Sequence, residues 1–94
     1  MITYAILGTA KAKPGTKYTA HEEHAVIVLA LAADPRHAEA NAVNHLESTG
    51  WYGTKFSEIK LIDVERLNSM DQAFRDAYEL TQKMGTHGII FRKS

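Results

Sequence analysis

From Ala25 to Ala33 the chain carries Val26, Ile27, Val28, Leu29 and Leu31 without one charged residue, and then meets Asp34-Pro35. A stretch that is apolar on both sides of an extended backbone belongs in the middle of a sheet, covered on both faces or paired in a dimer. Asp34 and Pro35 end it and begin a helix. Aspartate accepts from the free amides of a first helical turn, and proline is tolerated at the next position because its missing N–H would have had no partner there. From that point to Ser48, Ala38, Ala42, Val43 and Leu46 recur on one side at helical spacing, with Arg36, His37, Asn41 and Asn44 on the other. The alanines let this helix lie close to a sheet. Gly50 fits a left-handed helix cap, and Trp51-Tyr52-Gly53 reads as a short loop.

The remaining elements group around this centre. Ile2 to Thr9 alternates as a strand, and Pro14-Gly15 marks the turn of a hairpin that leads into the central strand. Residues 55–67 read as one long strand with a bulge, because the alternation changes phase between Leu61 and Ile62. Asn68 or Ser69 caps a second helix whose apolar stripe runs through Met70, Ala73, Phe74, Ala77, Leu80, Thr81 and Met84. Asp71 with Arg75 and Glu79 with Lys83 stand four apart on its exposed side. Gly85 ends that helix, and His87 to Arg92 supplies a last strand. The order is β-β-α-β-α-β. It predicts an α+β chain folded as a two-layer α/β sandwich, a four-stranded mixed sheet with two helices on one face. With 94 residues, 1–94 has room for a single domain.

Composition narrows the functional classes. Eleven basic residues balance eleven acidic ones, so no overall field draws the chain to polyanions, and nucleic acid is not an expected partner. Cysteine is absent, which removes thiolate chemistry and fits a reducing compartment. The start, Met1-Ile2-Thr3-Tyr4, lacks the basic end and long apolar stretch of a signal peptide, and the longest apolar run is about half of what a membrane span requires. The expected location is the cytoplasm, with no membrane partner.

Several side-chain groups could carry chemistry. In His21-Glu22-Glu23-His24, the residues His21, Glu23 and His24 are candidate metal ligands. Strand alternation divides the tetrad between two faces, and the helical zinc-protease spacing is missing, so no metal or other cofactor is expected. His37, Asn41 and His45 share a ridge of the first helix, which without an acid or nucleophile beside it is an ordinary polar face. The serines and glycines show neither a nucleophile elbow nor a phosphate loop. Lys11, Lys13 and Lys17 on the hairpin, with Tyr18 as a stacking surface, could meet nucleic acid or an acidic protein; equally they keep an exposed tip solvated. Trp51 and Tyr52 suit an interface as well as the end of a core.

These observations point to a non-catalytic protein-interaction or regulatory module. The first alternative is a small-ligand or metal-dependent enzyme, which requires His21, His24 and either His45 or His87 to meet in one pocket. The second is weak nucleic-acid binding through the lysine hairpin. A homodimer is expected in any case, because a short chain exposes much of its surface and the central strand is apolar on both faces. Ile2, Tyr4 and Ile6 or their opposite-face neighbours, with Trp51 and Tyr52 nearby, are the side chains expected in its interface.

Overall fold

Strands β1 (Ile2–Ala12) and β2 (Glu23–Ala32) pair antiparallel along their whole length, with Ile2 opposite Ala32 and Lys11 opposite Glu23. The computed structural model describes residues 2–91. The hairpin turns at Pro14-Gly15, where Gly15 takes φ of 86°, a value that costs an L-residue with a side chain and glycine nothing. Helix α1 (Pro35–Ser48) follows, with the Asp34 side chain accepting from the His37 amide as the N-cap and Gly50 turning the chain out at φ of 102°. Strand β3 (Trp51–Leu61), one helical turn α2 (Val64–Leu67), helix α3 (Gln72–Met84) and strand β4 (Thr86–Ile90) complete the chain.

The sheet order is β3-β1-β2-β4, and every neighbouring pair is antiparallel. This corrects the expected mixed sheet. The link through α1 does return the chain parallel to β2, but β1 already occupies the place beside β2, so β3 joins β1 instead. The inner position of Ala25–Ala33 is as read, since β2 lies between β1 and β4.

The two longer helices lie on opposite faces of the sheet, which corrects the expectation of a single helical layer. Even-numbered residues of the hairpin, among them Tyr4, Ile6, Val26, Val28 and Ala30, pack with Ala38, Ala42 and Leu46 of α1. Odd-numbered ones, Ala5, Leu7, Ile27 and Leu29, meet Phe74, Ala77 and Tyr78 of α3. The stretch read as apolar on both sides thus has a helix for each side. The α+β class holds.

Local readings differ in three places. Trp51 and Tyr52 are the first residues of β3 and not a loop, opposite Ala12 and Lys11. The long 55–67 strand stops at Leu61, and Asp63 then caps α2 by accepting from the Glu65 amide. The bulges sit earlier, where Leu7 and Gly8 face Glu58 and Phe56 with Ser57 extra, and again between Thr9 and Lys11. Ser57 spends its hydroxyl there, donating to the Leu7 carbonyl at 3.3 Å. Asp71, not Asn68 or Ser69, caps α3 by accepting from the Phe74 amide, and Arg75 donates to the Gln72 side-chain carbonyl instead of to Asp71. The buried stripe of α3 is rotated toward Ala77, Tyr78 and Thr81, leaving Met84 74% exposed. Thr81 is tolerated at 0% exposure because its hydroxyl donates to the Ala77 carbonyl one turn back. Arg92, placed in the last strand by sequence, lies outside the described residues. No helix among the described residues is long and apolar enough to cross a membrane.

Candidate functional site

The 13–22 connection of the hairpin folds back over the α1 side of the sheet. Lys13 fixes it: its amide donates to the Gly50 carbonyl, and its ammonium donates to the Glu47 carbonyl at 2.8 Å, a favourable place for a cation at a helix C-terminus. That fold-back lays Tyr18 edge-on to His24, with ring centres 5.1 Å apart, and tilted on Trp51 at 4.9 Å. His24 and Trp51 meet edge to face at 5.4 Å. The result is a three-ring cluster at one end of the core.

His24 is 5% exposed and held at one nitrogen by a hydrogen bond. Its Nδ1 lies 2.8 Å from the Phe91 carbonyl, which only accepts, so Nδ1 donates there. Nε2 stands 3.3 Å from the Glu22 carboxylate without hydrogen-bond alignment. His21 is elsewhere, turned by a φ of 67° so that its Nδ1 shares a 2.6 Å hydrogen bond with the Tyr52 hydroxyl. Glu23 is exposed, opposite Lys11 on the other face of the hairpin. The structure therefore does not gather His21, Glu23 and His24, and among the described residues no group of three or more His, Cys, Asp or Glu stands close enough to hold a metal ion. Nor do the lysines make one patch. Lys13 is engaged at α1, Lys17 lies 5.3 Å from the Tyr18 ring centre, and Lys11 is on β1 beside Tyr52.

What the structure does bring together is His45 and strand β4. The last turns of α1 run past β4, so the His45 imidazole lines a cleft of about 340 Å³ with Lys17, Tyr18, Leu46 and Ile90, while His87, opposite Leu29, borders it from β4 with its side chain on the α3 face. His45 Nδ1 lies 3.3 Å from the Thr86 hydroxyl. Burial, with the neighbouring His87 adding to it, holds the His45 pKa below the ordinary value of 6.5. A lowered histidine pKa means that the unfolded chain binds the proton more readily than the fold does. Its stabilising contribution is present above pH 6.5 and is lost as the pH falls through that value toward the folded pKa. The urea midpoint is expected to drop between about pH 7.5 and about pH 5, and His45→Gln to flatten part of that slope. An unchanged slope in the variant would assign it to other groups.

A second concavity lies on the α3 side. Helix α3 sits over β2 and β4, leaving β1 and β3 open, and a groove of about 300 Å³ remains there with Ala5, Leu7, Ile27, Ile62, Met70 and Phe74 as its floor and walls. Lys60, Asp63 and Arg66 stand on its rim, while Leu61, opposite Tyr4, turns its side chain to the α1 face. Val64, nearby on α2, is 59% exposed. Sequence reading missed this groove because it treated 55–67 as one strand, whereas the turn at Ile62-Asp63 is what builds the groove wall. It missed the His45 cleft because sequence spacing carries no sign of which helix end a strand will pass. Comparisons with family models, curated proteins and solved structures find no match to this chain.

Proposed function

We propose that the protein is a non-catalytic interaction module that works as a two-fold homodimer, joined through the half of the sheet face that α3 leaves uncovered. The observation that carries this reading is the groove between β1, α2 and α3, with an apolar floor and a charged rim. Apolar centre and polar rim is the usual anatomy of a protein interface. The rim suits a second copy: Lys60 and Arg66 alternate with Glu58 and Asp63 in exposed pairs at 3.3 and 3.7 Å, so a two-fold axis can set cations of one protomer against carboxylates of the other. Tyr4, Ile6 and Trp51 are already buried under α1 and the hairpin connection within one chain. That leaves the opposite-face neighbours, Leu7 above all, for the interface.

The enzyme reading has less behind it. His45 has His87 and Thr86 as neighbours and no carboxylate to orient its imidazole, while His21 and His24 are bound up elsewhere. Nucleic-acid binding would need the lysines to act together, and they diverge. Light scattering after size exclusion should give twice the 10.5 kDa chain mass at micromolar concentrations. Met70→Asp, at a half-buried position of the groove wall, should return the mass to 10.5 kDa with an unchanged circular dichroism spectrum. A monomer for the unaltered chain would overturn the homodimer and leave the groove to a different protein partner.

A further inference from the structure

We propose that the cleft between the end of α1, β4 and the Lys17-Tyr18 turn binds a small planar aromatic carboxylate, its ring against Tyr18 and Ile90 and its carboxylate held by Lys17 and His45. The cleft lies on the α1 side of the sheet, so this site is separate from the dimer groove on the α3 side. Three features of the lining define the ligand.

First, the walls are apolar and partly aromatic, and about 340 Å³ falls at the small end of the range for ligand sites, which suits a one- or two-ring body. Tyr18 is held in place by its contacts with His24 and Trp51, so this wall is already formed. Second, the titratable residues that border the cleft on the α1 face are Lys17, Tyr18 and His45, with no Asp or Glu among the lining. A cation finds no carboxylate there, whereas an anion finds an ammonium and an imidazole donor. His45 Nδ1 faces Thr86, which leaves Nε2 as the nitrogen free for a ligand. Third, the open space depends on Gly88. A β-carbon built there would lie 3.5 Å from His45 Nε2 and Cδ2, an ordinary contact, so nothing in the packing requires glycine at this strand position. Its effect is to leave bare backbone under the His45 ring. A monoanion is favoured over a phosphate dianion because Lys17 is the one full cation of the lining and His45 is held toward its neutral form.

The test uses 1-naphthoate as the probe and 1-naphthamide as its neutral isostere, each titrated into the 15N-labelled chain. Naphthoate should shift the amide signals of Tyr18, His45 and Gly88 saturably, with a Kd about tenfold or more below that of the amide. Lys17→Glu, on the exposed turn, and Gly88→Val, which fills the cleft, should each raise the naphthoate Kd by about tenfold or more. Equal affinity for acid and amide would overturn the proposal, as would shifts centred on Leu7 and Phe74, or no saturable response up to about 10 mM. If Gly88→Val loses the dispersed spectrum of a folded chain, Lys17→Glu decides the question alone.

Discussion

Replacing Leu46 by alanine should destabilise the fold by about 3–5 kcal/mol, toward the upper end of what deleting one buried leucine costs. Leu46 is 1% exposed, and the other buried residues of α1 are Ala38 and Ala42. The sheet under α1 is itself lined by small residues, with Ala10, Ala12, Ala30 and Ala32 in the same cluster. Close approach of helix to sheet is secured by these alanines, but they contribute little apolar area, so Leu46 supplies most of what α1 removes from water. Truncation would leave a void that the short neighbours cannot fill. For a chain of 94 residues the total stability is on the order of 5–15 kcal/mol, so the variant should lose about a fifth of it or more. Urea unfolding at neutral pH checks this. A loss below about 1 kcal/mol would mean that α1 is held chiefly by its caps and not by its packing. Phe74 makes the contrast: it is half-buried on the more open α3 side, so Phe74→Ala should cost about half the 3–5 kcal/mol of a fully buried phenylalanine.

The parts of this fold that were legible in the sequence are those fixed by neighbours in the chain. Asp34-Pro35 spells out the start of α1 because capping is a contact over three residues, and the unbroken apolar run of β2 identifies an inner strand because burial on both faces leaves no room for charge. The Pro14-Gly15 turn was legible for the same reason. What was hidden depends on contacts far apart in sequence. The placing of α1 and α3 on opposite faces follows from which face of the hairpin each helix meets, and both faces read as equally apolar. The candidate sites share this limit. Tyr18 reads in sequence as a stacking surface beside the lysines and Trp51 as an interface or core-end aromatic; the fold-back of the hairpin connection, pinned by Lys13 on Glu47, and the pairing of Trp51 opposite Ala12 are what set them against His24. His45 and strand β4 are separated by β3, α2 and α3 along the chain, so their shared cleft had no local signature.

Gly8→Ala should be the most disruptive single methyl that can be added to this chain. Gly8 lies in β1 where the register with β3 slips, Leu7 facing Glu58 and Gly8 facing Phe56. A β-carbon built on Gly8 runs into the Lys55 carbonyl oxygen and lies 2.8 Å from the Phe56 Cα. These are backbone atoms, so no rotamer change relieves the clash, and the two central partners of the bulge must separate. Strand β3 is an edge strand, held to the sheet on the β1 side only, so separation at the bulge weakens its attachment in the middle of its length. Overpacking of this kind costs about 1–3 kcal/mol where side chains can yield, and a rigid backbone contact places Gly8→Ala at or above about 3 kcal/mol. The loss should be local as well as global. Amide exchange in β3 from Lys55 to Glu58 should accelerate more than exchange in the β1–β2 hairpin, because that hairpin keeps its full register on its other edge. A glycine elsewhere provides the control: nothing lies within 4 Å of a β-carbon on Gly15, whose φ of 86° is the only penalty for alanine there. Gly15→Ala should therefore cost about 1 kcal/mol and leave β3 exchange unchanged. Equal losses in the two variants would show that the β3 bulge opens freely and that Gly8 is not required by the close approach of Lys55.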